Sequence, residues 1–245
     1  LFDGAQPGDT LCINMDDPFI RGMDLPSGCR VIRYGSSTDC DIQLQSAHID
    51  PDRLHTRFSV SDGRLSWSGE LPSPGIHMAH NAVAAVAVAH ALGLNPAGVV
   101  ARLAGYRPIG MRLRIEDGPR GTRVINDAYN ANPMSVAANL TTLASIPSTP
   151  DRRRIALLGD MLELGPTEID QHAQTGRHAL SLGLDIVGFA GPRFSEAMGA
   201  NALCSPDAES LARLIQDRVQ PGDILFIKGS RGMRMERVLQ VLEST

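Results

Sequence analysis

The chain has 245 residues, of which 42% are hydrophobic and 20% charged, so it is long enough for one large domain or two domains with ordinary cores. Its formal net charge of −4 argues against binding to nucleic acid or to an anionic membrane surface. The most apolar run, residues 82–94, is too short and too weakly apolar to span a bilayer. The four cysteines show no CxxC spacing, which indicates neither a zinc site nor a disulfide framework, and we expect a cytoplasmic location.

The first 107 residues have a β-rich pattern followed by two helices. Short β-favouring runs separated by Pro, Gly, Ser and Asp predict strands at residues 10–14, 30–34, 41–45, 54–60 and 64–67. The last two runs flank Asp62-Gly63 and predict a hairpin. Helices are predicted at residues 77–92 and 95–105. A segment rich in Pro and Gly follows at residues 106–110, and it predicts a boundary between domains at residues 1–107 and 108–245.

Residues 108–245 alternate between strand and helix patterns. Strands are predicted at residues 112–116, 123–125, 155–158, 186–189 and 224–227, and helices at residues 133–146, 167–182, 207–219 and 231–242. This alternation predicts an α/β fold with a doubly wound, mostly parallel sheet. Ligands of such sheets bind beyond the carboxyl ends of the strands, so the residues that follow each strand are the first candidates for a site.

The segment V-I-N-D-A-Y-N-A-N-P at residues 124–133 is the most informative motif. Asn132 followed by Pro133 is typical of a helix start, because Asn can cap free N–H groups and Pro at the first position has no N–H to leave unpaired. Asp127 and Asn130 therefore lie between a predicted buried strand and a helix start, where polar ligands commonly bind. The alternative is that these side chains only cap and turn the backbone.

Two further strand ends carry polar groups. One is G-D-M-L-E-L-G at residues 159–165, and the other is K-G-S-R at residues 228–231, where Ser230 can cap the last helix. Together the three ends would form a site of mixed charge, suited to a zwitterionic ligand with a carboxylate and an amine. The candidate residues for binding such a ligand at these ends are Asn130, Asn132, Asp160, Glu163, Lys228, Ser230 and Arg231.

The basic residues show a strong bias, because Lys228 is the only lysine among 23 lysines and arginines. An ammonium is a compact point charge and a guanidinium is a planar fork, so Lys228 is a candidate for chemistry that arginine cannot perform. The alternatives are chance survival or a pair with a nearby acid. The same bias excludes a G-x-x-x-x-G-K-[ST] phosphate loop from this sequence, because Lys228 follows Ile-Leu-Phe-Ile.

The histidines give weaker signals. His77 and His80 lie at a predicted helix start, where a cap or a packed side chain is the commoner role. His172 and His178 are six residues apart on a predicted helix, which is the wrong spacing for a shared metal, so we interpret both as surface residues. No metal site is predicted in this chain.

These motifs resemble the Mur ligases, most closely the members that add a dipeptide to the peptidoglycan precursor. The matching segments follow one another in the family's order over nearly the whole chain. They are G-I-H-M at residues 75–78 with N-A at 81–82, G-M-R at 110–112, N-D-A-Y-N-A-N-P at 126–133, G-D-M at 159–161 with E-L-G at 163–165, and K-G-S-R at 228–231.

The resemblance implies an ATP-driven synthesis of an amide through an acyl phosphate, with Mg²⁺. The expected substrates are UDP-N-acetylmuramoyl-tripeptide and D-alanyl-D-alanine. Residues 1–107 would be the C-terminal part of a central ATP-binding domain, and residues 108–245 a Rossmann-like C-terminal domain that contacts the nucleotide and the amino substrate. Asn81 corresponds to an adenine contact, Arg112 to an arginine beside the nucleotide, and Asp127 to the acid that holds the ribose hydroxyls.

Each of these roles has a simpler alternative. Asn81 could cap or pack its helix. Arg112 and Arg114, two residues apart in a predicted strand, would point to one face that could merely be solvated. Asn126 stands where the family usually has a first Asp, but Asp127 is kept, so we expect nucleotide contact to survive.

By the resemblance, a UDP-sugar domain, a P-loop and a modified, magnesium-binding lysine would all precede Leu1. We therefore expect about half of an enzyme, without catalytic residues of its own, inactive alone and monomeric when complete. Two alternatives remain open. One is a related ligase with another amino substrate, such as another Mur ligase or a cyanophycin-type synthetase, although Y-N-A-N-P favours the dipeptide-adding branch. The other is a non-catalytic module, or a subunit that a separate P-loop chain completes.

Overall fold

The computed structural model describes residues 2–244, apart from the side chain of Asn201. Within that part of the chain it forms two compact units, which are divided between Arg107 and Pro108. In neither unit does a described helix have the length and apolar character needed to cross a membrane.

The first unit, over its described residues, is one five-stranded sheet with three helices. The sheet order is β1-β2-β3-β4-β5; β1 to β3 run parallel, and β3 to β5 run antiparallel. The elements are β1 (Thr10–Asn14), α1 (Pro18–Arg21), β2 (Arg30–Gly35), β3 (Ile42–Asp50), β4 (His55–Ser61), β5 (Ser66–Leu71), α2 (Ile76–Ala91) and α3 (Pro96–Leu103).

The predicted hairpin in this unit is confirmed, with β4 and β5 closing on the pair Ser61 and Ser66. Asp62 forms the turn, since its Oδ1 accepts the N–H groups of Arg64 at 2.9 Å and Leu65 at 2.8 Å. Gly63 adopts φ +82°, which a residue without a side chain reaches at little cost. The small residues of α2 pack with the inward side chains of the sheet in one buried cluster.

The second unit, in the part that the structure describes, has a six-stranded sheet. Its order is β10-β9-β8-β11-β7-β6, and every pair is parallel except β6 with β7. The elements are β6 (Arg114–Asp117), β7 (Arg123–Asp127), α4 (Pro133–Ser145), β8 (Arg154–Gly159), α5 (Glu168–Ser181), β9 (Ile186–Ala190), α6 (Pro192–Met198), β10 (Leu203–Ser205), α7 (Ala208–Ile215), β11 (Ile224–Lys228) and α8 (Arg237–Glu243). The prediction of a mixed α/β fold is confirmed, and the strands β9 and β11 are buried along their whole length, as expected for a covered parallel sheet.

Sheet alternation positions the candidate site within this unit. One face packs against α7 and α8 in a buried cluster that includes Val124, Leu225 and Ile227. Side chains on a strand alternate between faces, so Asp127 and Lys228 lie on the opposite face. The polar ends of β7 and β11 therefore point away from the α7 and α8 layer.

Two predictions for the second unit are wrong. The helix predicted at residues 231–242 is interrupted: Arg231–Met233 form one 3-10 turn, Arg234 is left-handed with φ +49°, and α8 begins only at Arg237. Arg112 lies before β6 rather than within it, and Leu113 at φ +52° breaks the alternation that would have aligned it with Arg114. Three short elements were not predicted at all: α1 in the first unit, and α6 and β10 in the second, which have four, seven and three residues.

Asn132 caps α4 as predicted. Its Oδ1 accepts the N–H of Ser135 at 2.9 Å, and the Ser135 hydroxyl accepts the N–H of Asn132 at 3.3 Å, which makes a reciprocal capping box. We expect Asn132→Ala to lower the free energy of unfolding by about 1 kcal/mol, since the N–H of Ser135 loses its acceptor. Urea denaturation measures the change. Met134→Ala, at a neighbouring position that is 84% exposed, is the control and should stay within about 0.5 kcal/mol; equal effects would contradict the cap.

Candidate functional site

The candidate site lies where β7, β11 and β8 end side by side in the second sheet. In the ladder, Lys228 at the end of β11 is level with Asp127 at the end of β7 and with Leu158 in β8. The chain therefore brings together polar residues that are about a hundred positions apart in the sequence. They form two adjoining groups, one around Asp127 and one around the loop that follows β8.

Asp127 is the centre of the first group. Its Oδ2 accepts the amide Nδ2 of Asn139 at 2.7 Å and forms an ion pair with the ammonium of Lys228. Its Oδ1 accepts the backbone N–H of Leu113 at 3.1 Å. Lys228 also donates to the carbonyl of Asn130 at 2.9 Å. Every one of these partners comes from the same unit, so the carboxylate is held before any ligand binds.

Burial decides what Lys228 can do. The lysine is 3% exposed and Asp127 is 8% exposed, so the ion pair is almost fully removed from water. A buried ammonium needs a counter-charge, and Asp127 supplies it. The structure thus shows Lys228 in the alternative role, as the partner of an acid. It gives no support to the prediction that Lys228 itself contacts the amino substrate.

Asn139 is a functional candidate that the sequence analysis missed. It lies in the middle of α4, where buried Val136, Leu140 and Leu143 form the apolar stripe. A polar residue on such a stripe needs a partner, because an unpaired buried amide costs about 1–3 kcal/mol. The signal was present in the sequence, but only the fold shows that Asp127 is the partner.

The loop after β8 forms the second group, and Asp160 anchors it. Asp160 is fully buried, and its two carboxylate oxygens accept the N–H groups of Arg193 at 3.0 Å and Phe194 at 2.9 Å. The carboxylate therefore caps the N-terminus of α6, and its contact with an amino substrate stays a prediction. Arg193 also donates a hydrogen bond to Glu168 at 2.5 Å, which raises the pKa of the Arg193 guanidinium. The side chain of Arg193 is therefore a cation beside the Asp160 carboxylate.

His172 lies beneath the same loop, and its interpretation as a surface residue is wrong. The ring is completely buried in α5. Its Nε2 accepts the N–H of Met161 at 2.9 Å, which requires the proton to be on Nδ1, and Nδ1 donates to the carbonyl of Glu168 at 2.6 Å. The ring also packs edge-on against Phe194, with centroids 4.6 Å apart. His172 thus fixes the loop from below.

Ser230 fixes the loop from the side of β11. Its hydroxyl accepts the N–H of Leu162 at 2.8 Å, and its own N–H donates to the carbonyl of Asp160 at 3.1 Å. The predicted role of Ser230 as a helix cap is therefore wrong, since the side chain makes no capping bond to the turn that follows. The loop hydrogen bonds satisfy backbone groups that would otherwise be buried and unpaired.

Two charged side chains of this edge remain exposed. Glu163 follows the fixed loop in a left-handed conformation, φ +66°, and its carboxylate makes no hydrogen bond or ion pair with any described residue. Arg231 is exposed and pairs with Glu236 at 2.7 Å. Both groups, unlike Asp160, Lys228 and Ser230, are exposed and can be reached by a ligand from solvent, although Arg231 would then share its charge with Glu236.

The remaining candidates lie at the surface. The guanidinium of Arg112 stacks over the ring of Tyr129, 4.2 Å from its centroid. Asn130 is exposed and its Oδ1 accepts the N–H of Ala131, which leaves the amide N–H₂ available. Asn81 lies in the first unit, exposed on α2, with Nδ2 only 3.9 Å from the sulfur of Met78. Among the residues described, no group of three or more His, Cys, Asp or Glu side chains could hold a metal ion.

Two family models match the chain. The Mur ligase middle domain matches residues 1–89, and the Mur ligase glutamate ligase domain matches residues 111–231. One solved relative is a MurF ligase from Thermotoga maritima in complex with ADP, with a TM-score of 0.81, 23% identity, and coverage of 98% of this chain and 54% of that one. MurF from Acinetobacter baumannii also gives a TM-score of 0.81, with 25% identity over 98% of this chain and 52% of that one.

Curated relatives carry ligase names. UDP-N-acetylmuramoyl-tripeptide–D-alanyl-D-alanine ligase of Mycobacterium tuberculosis is 29% identical over 94% of this chain and 50% of its own length. The ligase of that name from Bacillus subtilis is 27% identical over 99% of this chain and 53% of its own length. UDP-N-acetylmuramate–L-alanine ligase of Halorhodospira halophila is 33% identical over 60% of this chain and 30% of its own length.

The chain spans about half the length of the first two of these curated relatives, at 50% and 53%. Its middle-domain match and its glutamate-ligase-domain match follow one another in a single chain and leave only short segments uncovered. On these matches and on the shared fold, the chain belongs to the Mur ligase family.

Proposed function

We propose that the chain is the C-terminal half of an ATP-dependent amide ligase that joins D-alanyl-D-alanine to UDP-N-acetylmuramoyl-tripeptide. The names of the relatives that it matches over nearly its whole length support this substrate pair. The observation that carries the proposal is the prepared carboxylate of Asp127 at the end of a parallel strand, beside a rigid loop that presents a free carboxylate. Together they offer separate places for a nucleotide and for an amine.

On the nucleotide side, we propose that Asp127 accepts a hydrogen bond from the ribose of ATP. A carboxylate fixed by three donors loses little conformational freedom on binding, which favours affinity. Arg112, stacked on Tyr129, would lie beside the nucleotide, and the exposed amide of Asn81 suits an adenine edge. The ADP named for the Thermotoga maritima ligase supports a nucleotide as the ligand.

On the amino side, we propose direct contacts from Glu163 and Arg231. The dipeptide is a zwitterion, so its ammonium suits the unpaired carboxylate of Glu163, and its carboxylate suits the guanidinium of Arg231. Asn130 can add its free amide N–H₂. Asn132, Asp160, Lys228 and Ser230, which were candidates for direct contact, support the site instead, because their side chains are already engaged in the fold.

The reaction implied by this proposal has two displacements. A carboxylate oxygen of the tripeptide attacks the γ-phosphorus of ATP, and ADP leaves. The ammonium of the dipeptide gives one proton to solvent, and the resulting neutral amine attacks the acyl carbon. Phosphate leaves with the electrons of the broken C–O bond, and the nitrogen loses a second proton, to phosphate or solvent, as the amide forms. Positioning of the amine by Glu163 and Arg231 would contribute the proximity that such a step requires. Mg²⁺ is expected to accompany ATP, but the described residues do not fit a metal site, so no step here is assigned to it.

A second candidate is a Mur-type ligase with another amino substrate. The match to an L-alanine-adding ligase, at 33% identity over 60% of this chain, supports this second candidate. D-alanyl-D-alanine and L-alanine are both zwitterions, so the charged groups at the strand ends would suit either.

The test uses the full-length ligase, meaning this chain preceded by the N-terminal half that its relatives possess. With ATP and UDP-N-acetylmuramoyl-tripeptide, we expect D-alanyl-D-alanine to give one amide product and one phosphate for each ADP. Parallel assays with L-alanine and with no amine distinguish the candidates. Product formation with L-alanine but not with D-alanyl-D-alanine would favour the second candidate. Absence of ADP formation with every amine would indicate a non-catalytic module.

A further inference from the structure

We propose that Lys228 and Asn139 are positioning residues that occupy one oxygen of Asp127, so that this carboxylate receives one ribose hydroxyl of the nucleotide and not both. This inference rests on the proposed function for its ligand. The geometry that carries it is internal to the second unit and consists of the three polar contacts of Asp127 described above.

The acceptor capacity of Asp127 sets the limit. An ionised carboxylate has two oxygens with about four lone-pair sites in total. At Oδ2, Asn139 and Lys228 occupy both sites. At Oδ1, the backbone N–H of Leu113 occupies one site. A single acceptor position therefore remains, on Oδ1, whereas a diol bound through two oxygens would need one position on each.

The two donors at Oδ2 cannot readily turn away. Lys228 is 3% exposed and is also tied to the carbonyl of Asn130, so its ammonium has no route to solvent. Asn139 is buried in the middle of α4, and its amide donates to Asp127 and to no other described side chain. Releasing Asn139 to admit a second hydroxyl would leave a buried amide unpaired, at a cost of the same order as the new bond. Releasing Lys228 would separate a buried ammonium from its counter-charge, which costs at least as much.

The experiment compares ATP with 2′-deoxy-ATP and 3′-deoxy-ATP in the full-length ligase, in the wild type and in Asp127→Asn. The amide of Asn at position 127 would keep its oxygen toward the two donors at Oδ2, which turns its N–H₂ toward the ribose and removes the free acceptor. Asp127→Ala, which removes the acceptor without any such orientation, is the second variant. Each nucleotide is characterised by kcat/KM at saturating D-alanyl-D-alanine.

We expect one deoxy analogue to lose about tenfold or more in kcat/KM with the wild type, and this penalty to vanish in Asp127→Ala. In Asp127→Asn it should become smaller, because an N–H₂ donating to the hydroxyl oxygen replaces a bond to a charged acceptor. The penalty of the other analogue, whatever its size, should be the same in the wild type and in the variants. If both analogues have penalties that depend on Asp127, the carboxylate receives both hydroxyls and the inference is overturned. If neither does, Asp127 does not contact the ribose, which also overturns it.

A second measurement tests the positioning role itself. We expect Asn139→Leu and Lys228→Arg to raise the KM for ATP severalfold while leaving the KM for D-alanyl-D-alanine unchanged. Thr142→Val is the matched control. Thr142 is a buried residue of the same helix, and its hydroxyl donates to the backbone carbonyl of Ala138 one turn earlier, away from Asp127. It should lower the melting temperature without moving either KM. A changed KM for the dipeptide with an unchanged KM for ATP would indicate that Lys228 contacts the amino substrate, and it would contradict the inference.

Activity of the wild-type ligase with ATP separates the two levels of proposal. If the wild type turns over ATP with the dipeptide, a failure in the analogue series concerns only the role of Asp127 and its partners. If the wild type has no activity with any amine, the proposed function has failed, and the inference fails with it.

Discussion

Lys228→Met should lower the free energy of unfolding of the chain by about 3–5 kcal/mol, because it leaves the Asp127 carboxylate buried without its counter-charge. Two donors, Asn139 and the N–H of Leu113, stay with the carboxylate, so the lower half of that range is expected. Far-UV circular dichroism during urea denaturation is the appropriate readout, since the only tryptophan, Trp67, lies in the first unit.

Arg237→Met is the control for this prediction. Arg237 pairs with Glu209 at 2.6 Å, but its side chain is 40% exposed, and such surface pairs contribute about 0–1 kcal/mol. A loss for Lys228→Met no larger than for Arg237→Met would show that water reaches the Asp127 pair, contrary to its burial.

Gly191→Ala should be the most destabilising glycine substitution at the ends of α6. Gly191 adopts φ +122° and ψ 159°, a region that is accessible essentially only to glycine, and a Cβ there would lie 2.3 Å from Cγ of Asp160. The methyl group would displace the carboxylate that caps α6 and strand a buried charge. We expect a loss of about 4 kcal/mol or more, of which backbone strain accounts for about 1–3 kcal/mol.

Gly199 is the matched control, because it ends the same helix in a comparable backbone region, φ +63° and ψ −162°, with open space where a Cβ would lie. Gly199→Ala should therefore show the backbone strain alone. The difference between the two variants, measured by the same denaturation experiment, isolates the clash with Asp160. Equal losses would mean that Asp160 can move aside and does not hold the loop after β8.

The sequence predicted what depends on neighbouring residues. The cap at Asn132, the turn at Asp62-Gly63 and the strand-to-helix alternation of the second unit all rest on local propensities, and the structure confirms each of them. The wrong start of the last helix is also local in origin. Apolar spacing in residues 231–242 suggested one helix, but the left-handed Arg234 divides the segment.

What could not be predicted from the sequence is which polar side chains meet each other. Lys228 and Asp127 are far apart in the chain, and only the insertion of β11 between β7 and β8 makes them neighbours. His172 has polar residues around it in the sequence, so nothing local indicated that it would be buried under Met161. Buried polar side chains form hydrogen bonds and ion pairs with other groups of the protein, which makes them unavailable to a ligand. Which side chains are buried depends on tertiary packing.

The ion pair also changes what is expected of Asp127 itself. A carboxylate that only faced a nucleotide could be replaced with little effect on stability, whereas one that neutralises a buried lysine cannot. Variants of Asp127 should therefore lower the melting temperature in addition to any effect on ligand binding. Stability alone cannot report on its role in the site, and affinity must be measured directly.

The central claim is that the end of β7 holds a nucleotide, and the most direct test is the affinity of the full-length ligase for ADP. Isothermal titration calorimetry measures this affinity for the wild type and for Asp127→Asn, at a temperature where both are folded. Loss of a hydrogen bond to a charged group should weaken binding by about 1.5–3 kcal/mol, which is more than about tenfold in Kd. An unchanged affinity for ADP, even beside a lowered melting temperature, would contradict the claim and leave Asp127 as the buried counter-charge of Lys228 alone.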